Sequence, residues 1–296
     1  MTNDYPETMQ EFMDRFPNEE TCRRYLARVR WGDTFVCPFC SNKTAWSIRC
    51  EKFRCTACGR DISVTAGTVF QHTKIPLRLW FQAMWCFVSQ KHGASALGLS
   101  RILGISRQKT GWNLLRKIRG AMIRKGRERL SGLVEVDEVF VGGVRPRIGG
   151  RSSLGKVLIL IAAEDKAGVI GRIRIRVIHN ASYPSLCSTI EEMVDPISTI
   201  RTDGWLGYRG IGKKGYHHIT IERNPSRPGD DPTPLVHRIA SLLKRWLLGT
   251  YQGGVQRESL QSYLDEFVFR FNRRTSRSRG KLFYRLIQNM VSVTKM

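Results

Sequence analysis

Apolar positions along this chain recur with two different periods. Between Leu77 and Arg119 they fall three and four apart, the spacing of helices that bury one stripe. Leu77, Trp80, Phe81, Met84, Trp85 and Val88 mark a first helix, Gly93 breaks it, and Leu97, Leu99, Ile102 and Leu103 mark a short second one. Gly104-Ile105-Ser106 reads as a turn ending in an N-cap residue. Arg107 to Arg119 follows as a longer helix with Trp112, Leu115 and Ile118 on its apolar side. A short helix, a Gly-containing turn and a longer helix make a helix-turn-helix pattern.

From Leu133 the period drops toward two. Leu133 to Val141 is a valine-rich strand interrupted by Glu135, Asp137 and Glu138. Val157 to Ala163 is continuously apolar, which predicts a strand buried on both faces. In Ile170 to Ile178, Arg172, Arg174 and Arg176 alternate with Ile173, Ile175 and Val177, so one face is expected to be wet or to meet nucleic acid. A helix is predicted over Pro184 to Met193, with proline at its first position. Short strands are expected over Thr199 to Asp203 and Ile219 to Glu222. Pro234 to Tyr251 returns to helical spacing through Leu235, Ile239, Leu242, Leu243, Trp246 and Leu247, and sets His237, Ser241 and Lys244 on one polar face. The class is α/β, and three antiparallel strands, a helix and a further strand are consistent with a ribonuclease-H-like layout.

The 296 residues suffice for about two domains. The longest apolar run is Val157 to Ala163, far short of the about 20 residues a membrane helix needs. The acidic N-terminus (Asp4, Glu7, Glu11, Asp14) has no apolar core of a secretory signal. The expected location is therefore cytoplasmic, with no membrane partner. Charge narrows the class further. Forty-nine Lys and Arg against 25 Asp and Glu leave +24, and so large an excess implies a polyanionic partner, nucleic acid first. The bases are clustered, ten in residues 101–131 and eight in 267–296, where no acid occurs. On the second helix of the helix-turn-helix pattern, Arg107, Gln108, Lys109 and Asn113 are placed to enter a major groove. Arg116 and Lys117 behind them, and Arg273 and Arg274 in the C-terminal block, are further expected DNA contacts. This points to association with the nucleoid.

Four of the eight cysteines form Cys37-Pro-Phe-Cys40 and Cys55-Thr-Ala-Cys58. Two CxxC knuckles at this separation read as one tetrahedral Zn2+ site, and in the absence of secretory signals zinc is expected rather than disulfides. Four thiolates leave no open position, so the ion is structural. Trp46, Ile48 and Phe53 predict a short hairpin between the knuckles, and Gly59 allows the turn after the second. Cys50 is an alternative ligand without a CxxC partner, while Cys22, Cys86 and Cys187 read as small buried apolar residues.

Asp137, inside an apolar strand, and Asp203, ending another, converge if those strands are neighbours. Paired carboxylates with hard divalent ions are machinery for cutting phosphodiesters. The spacing leaves open whether these two aspartates are unrelated. Likewise His237 and Lys244 suit either a metal and a phosphate or an ordinary helix surface. Gly150 to Lys156 matches GxxxxGK, but Val157 replaces the magnesium-binding hydroxyl and a strand follows instead of a helix. A basic loop beside the active site fits that stretch better.

Seven ordered motifs carry a resemblance. They are CPFC (37–40), FRCTAC (53–58), SVTAGTVF (63–70), VDEVFVGG (136–143), TDGWLGY (202–208), LLKRWLLGTY (242–251) and YLDEFVFRFNRR (263–274). Together they resemble the DDE-type transposases of bacterial insertion sequences, in particular the ISXO-like group with its N-terminal zinc ribbon. The resemblance implies a ribonuclease-H-like catalytic domain using Mg2+ or Mn2+ to cut DNA at terminal inverted repeats and join the ends to target DNA. It implies Asp137 and Asp203 as the first two ligands, His237 at the third position, where glutamate is common, and Lys244 as the following basic residue. Glu258 or Glu266 are the alternatives if His237 is not a ligand. Double-stranded DNA and a homodimer or larger assembly are the implied partners.

The expected layout is an N-terminal helical segment over 1–30, the zinc ribbon over 31–70, a helical DNA-binding segment over 71–130, the catalytic domain over 131–276, and a basic C-terminal tail over 277–296. A zinc ribbon and a helix-turn-helix would also suffice for a non-enzymatic DNA-binding regulator. What separates the two readings is whether Asp137 and Asp203 come together.

Overall fold

The computed structural model describes residues 5–48, 52–90, 92–124, 126–142, 156–222, 230–251 and 255–292. Cys50 and most of the GxxxxGK stretch lie outside them. The chain forms two compact units, one of residues 1–124 with 276–296 and one of residues 125–275.

In the first unit, α1 (Met9–Arg15) and α2 (Glu19–Trp31) open on Thr8 and Asn18, whose side chains accept from Glu11 N and Thr21 N. Such caps satisfy N–H groups that a helix start leaves bare. The ribbon is a three-stranded antiparallel sheet of β1 (Ala45–Ile48), β2 (Lys52–Cys55) and β3 (Asp61–Ser63). After it come α3 (Leu77–Ser89), α4 (Ala96–Ile102) and α5 (Gln108–Gly120). The Glu19 carboxylate on α2 accepts from Leu77 N and Arg78 N, capping α3 from another helix. The expected helix-turn-helix is α4 and α5. Gly111 permits their close approach, since a Cβ there would stand 2.1 Å from Ser100 Oγ. Trp112 departs from expectation. Gly111, Leu114, Leu115 and Ile118 form the buried stripe, while Trp112 is exposed with the Arg116 guanidinium 5.7 Å from its ring.

The second unit is built on a five-stranded sheet of β4 (Leu133–Val141), β5 (Val157–Lys166), β6 (Val169–Val177), β7 (Thr199–Thr202) and β8 (His217–Thr220), in the order β6-β5-β4-β7-β8. β5 is antiparallel to both β4 and β6, and β7 and β8 run parallel to β4. The fifth strand thus begins two residues before its predicted start. α6 (Tyr183–Met193) covers one face, packing Leu186 and Ile190 on Val134, Val136 and Ile200. α7 (Pro234–Tyr251) and α8 (Leu260–Phe271) cover the other, with Ile239, Leu243 and Leu264 against Ile159, Ile161 and Ile173.

Two expectations about charge fail here. The arginines of β6 do not make an open face. Arg172 pairs with Glu164 at 2.6 Å and Glu128 at 3.1 Å, and Arg176 with Asp265 at 3.4 Å. Arg174 is buried on the carbonyls of Ile173 and Glu128, and burial pulls its pKa down to about 10. Nor is the C-terminal basic block a tail, because residues 279–291 form α9 (Arg279–Val291), which belongs to the first unit and packs on α2 and α3. Leu282, Phe283, Leu286, Ile287 and Met290 are buried, and Phe283 meets Phe12, Phe81 and Trp85 edge-on at 5.6–5.8 Å. Apolar burial outweighs the charge count, which had no acids to mark a structured segment.

Candidate active site and zinc centre

The two CxxC knuckles fold alike. Ser41 N donates to Cys37 O and Gly59 N to Cys55 O, each turn closing in a left-handed residue, with φ of 60° at Ser41 and 68° at Gly59. The four sulfurs lie within 4.8 Å of one another, with Cys37 to Cys58 at 3.8 Å and Cys40 to Cys55 at 3.5 Å. Thiolates on one tetrahedral zinc are about 3.8 Å apart, given Zn–S bonds of about 2.3 Å. The backbone N–H groups of Cys58 and Ala57 hold the Cys55 thiol down to about 6, favouring the thiolate that a metal binds. The cluster fits structural zinc. Among the described residues no other trio of Cys, His, Asp or Glu gathers its ligand atoms so closely.

In the second unit β4 and β7 are neighbours, as convergence requires. Their parallel register pairs Val134 with Ile200 and Glu135 with Arg201. Asp203 follows just beyond the end of β7, near enough for its charge to act on Asp137. Asp137 is buried on the face that α7 covers, and burial raises its pKa, with Asp203's charge adding to the rise and Thr233 and His237 opposing it. Thr233 Oγ1 donates to Asp137 Oδ2 at 2.8 Å, and His237 Nε2 lies 3.2 Å from the same oxygen. Asp203 Oδ1 accepts from Trp205 N at 3.0 Å, tightening the turn after β7. The acidic cluster is therefore looser than the sulfur cluster.

Glu138 points to the other face of β4. Its carboxylate accepts from Tyr208, and burial raises the pKa of both groups. Beside the end of β4 lies a cleft of about 490 Å³ lined by Glu138, Val139, Phe140, Lys156, His237, Ala240, Ser241 and Lys244. The polar face predicted for α7 is thus gathered in one cleft, with Lys156, the last residue of the GxxxxGK stretch, beside it.

Several residues of the site escaped the sequence reading. Glu135 is fully buried, and its Oε2 accepts from Leu235 N at 2.8 Å and Val236 N at 3.1 Å, the first amides of α7. It also pairs with Arg201, which reaches Asp165 at 2.9 Å. The helix bearing His237 is thereby docked on the strand bearing Asp137. Asp231 Oδ1, 2.7 Å from His237 Nδ1, was also unforeseen. The only advance signals were a polar residue in an apolar strand and the Asp-Pro-Thr-Pro helix start at 231–234. Glu266, the alternative ligand, is fully buried and paired with Arg270 and Tyr251. Glu258 lies in a short 3-10 turn before α8.

Of the expected DNA contacts, Arg107, just before α5, and Lys109, Arg116 and Lys117 on it are exposed, and Asn113 is half-buried. Arg273 and Arg274 turn back onto the protein. Arg273 stacks 4.1 Å from the Phe269 ring and donates to Phe269 O, while Arg274 donates to the carbonyls of Ile170 and Gly171. No described helix is long and apolar enough to cross a membrane.

The ISXO2-like transposase domain matches residues 129–272, and the transposase zinc-ribbon domain matches residues 17–61. A protein of Halobacterium salinarum described as an uncharacterized protein in transposable element ISH50 is 26% identical over 285 residues, covering 90% of this chain and 94% of that one. A chain in a cryo-EM structure of the simian T-cell lymphotropic virus intasome with PP2A regulatory subunit B56 gamma aligns over 64% of this chain and 68% of its own. With 13% identity and a TM-score of 0.30, that likeness carries no weight. Zinc-ribbon and transposase-domain models match in order, a relative encoded by a mobile element spans nearly the whole length, and the chain belongs to the ISXO2-like transposases.

Proposed function

We propose that this transposase is a metal-dependent DNA nuclease and strand transferase that cuts at the terminal inverted repeats of its element and joins the freed 3′ hydroxyls to target DNA. The observation that carries the reading is the 3.2 Å approach of His237 Nε2 to Asp137 Oδ2, beside a parallel strand that leads into Asp203. Adjacent ligands on an ion bound at about 2.1 Å stand about 3 Å apart, so the pair fits one divalent ion. Mg2+ or Mn2+ held by Asp137, Asp203 and His237 would supply positive charge to activate the attacking oxygen and stabilise the leaving one. Burial raises the Asp137 pKa and the Asp203 charge adds to the rise, and a bound cation would offset both. Lys244, two turns beyond His237, and Lys156 in the same cleft are suited to hold a DNA phosphate.

The body over 131–276 is read as ribonuclease-H-like, supported by a strand order in which three antiparallel strands continue into two parallel ones. Arg107 at the start of α5 and Lys109, Asn113, Arg116 and Lys117 on it, with the ribbon, are assigned to holding the DNA ends. Arg273 and Arg274 keep a lesser claim, because their guanidinium groups are tied to carbonyls and rings. Two ends must meet in transposition, so a homodimer or larger assembly in the cytoplasm, on the nucleoid, completes the reading.

The test is cleavage of DNA carrying the ends that flank the gene, with Mg2+ or Mn2+, beside Asp203→Ala. End-specific nicks that vanish in the variant are expected. Imidazole suits softer ions better than magnesium, so Mn2+ is expected to support cleavage at least as well, and a clear advantage for Mg2+ would count against His237 as ligand. Binding without cutting in either metal would overturn the reading in favour of a non-enzymatic regulator.

A further inference from the structure

We infer that Asp231 is a positioning residue for His237, holding the imidazole as the Nδ1–H tautomer so that Nε2 is the free lone pair turned toward Asp137. The inference rests on His237 serving as the third metal ligand. Asp231 Oδ1 is 2.7 Å from Nδ1, shorter than the 3.2 Å from Nε2 to Asp137 Oδ2. The His237 side chain is half exposed, so packing alone does not fix its ring, and the torsion that turns an imidazole is intrinsically broad. The hydrogen bond to Asp231 supplies the restriction.

Asp231 is itself fixed. The same Oδ1 accepts from Thr233 N at 3.0 Å, Thr233 O accepts from His237 N at 3.0 Å, and Thr233 Oγ1 donates to Asp137 Oδ2 at 2.8 Å. The start of α7 thus ties Asp231, Thr233 and His237 into one hydrogen-bonded ring, to which Asp137 is joined through the Thr233 hydroxyl. A histidine that binds a metal through one nitrogen commonly donates its other N–H to a carboxylate, which selects the tautomer and raises the basicity of the ligating nitrogen.

The test uses full-length, zinc-loaded protein at pH 8 and follows Mn2+ binding by the EPR signal of the free ion. His237→Ala, Asp231→Ala and Asp231→Asn are compared with wild type. Loss of such an outer partner lowers metal affinity about 10–100-fold, so Asp231→Ala is expected to fall in that range. Asp231→Asn, whose amide oxygen still accepts from Nδ1–H, should recover most of the loss. Wild-type affinity in Asp231→Ala beside a weakened His237→Ala would overturn the positioning role alone, as would Asp231→Asn no better than Asp231→Ala. Wild-type affinity in His237→Ala would instead overturn His237 as a ligand, and the inference with it. If Asp231→Ala does not fold, 15N NMR of the histidine rings in wild type with Mg2+ decides. A protonated Nδ1 on His237 supports the role, and a bare Nδ1 with protonated Nε2 overturns it.

Discussion

Replacing Glu135 with alanine tests how the site is assembled without touching a proposed ligand. The carboxylate is fully buried and serves two clients, the first amides of α7 and the Arg201 guanidinium, whose side chain is 20% exposed. Deleting one partner of a buried ion pair costs about 3–5 kcal/mol, and each helix amide left buried without an acceptor costs about 1–3 kcal/mol. These overlap, and Arg201 keeps Asp165, so the expected loss for Glu135→Ala is about 4 kcal/mol. Glu135→Gln keeps one oxygen acceptor but loses the charge, with an expected loss of about 2 kcal/mol, the scale of a charge-assisted bond. Urea unfolding followed by the fluorescence of Trp205 and Trp246, with hydrogen exchange at Leu235 and Val236, measures both the global and the local effect. Those two amides should lose protection before the rest of α7. A Glu135→Ala protein within about 1 kcal/mol of wild type, with Leu235 and Val236 still protected, would refute the claim that β4 caps this helix.

Asp137→Asn should stabilise the protein when no divalent ion beyond zinc is added. The folded pKa of Asp137 lies above its unfolded value of about 3.9, so ionisation costs stability that is lost as pH rises through the raised value. The variant's gain in melting temperature should therefore appear at pH 7 and vanish near pH 3; a variant less stable than wild type at pH 7 contradicts the sign. Stripping zinc, or replacing Cys58 with serine, should unfold the ribbon, because structural zinc contributes about 10–16 kcal/mol of apparent binding free energy in small zinc modules. The check is metal content together with amide protection in β1–β3, and an intact sheet without metal would refute it. Gly111→Ala should cost about 1–3 kcal/mol by overpacking α4 on α5. Ser100→Ala removes the clashing hydroxyl, which is buried without a hydrogen-bond partner, so the double variant should regain most of the loss in thermal melts.

Legibility from sequence followed the range of the interaction. The zinc ribbon was readable because all four ligands sit within 22 residues and each knuckle is a local turn. The buried strands and the His237 helix were readable from period alone. Convergence of Asp137 with Asp203 was only conditional, since it depends on a parallel pairing across a crossover that no local pattern encodes. Glu135 was noticed as an interruption in a strand, but its partners are Leu235 and Val236, 100 residues on. The arginines of β6 misled because alternation reports two faces without saying that Glu164, Glu128 and Asp265 would meet one of them. In α9, counting charge hid an amphipathic repeat that Leu282, Phe283, Leu286, Ile287 and Met290 display once charge is set aside.

The docking of α9 also sets a timetable for synthesis. Phe12 and Phe81 emerge early from the ribosome, but Phe283, which packs against both, is added about 200 residues after Phe81, or about 10–40 s later at ordinary elongation rates. The second unit is translated entirely within that interval. The unit that carries the ribbon is thus begun first and closed last. A chain cut short after residue 275 would carry every residue of the cleft proposed to bind DNA while leaving an aromatic surface uncovered, a ready substrate for chaperones and proteases.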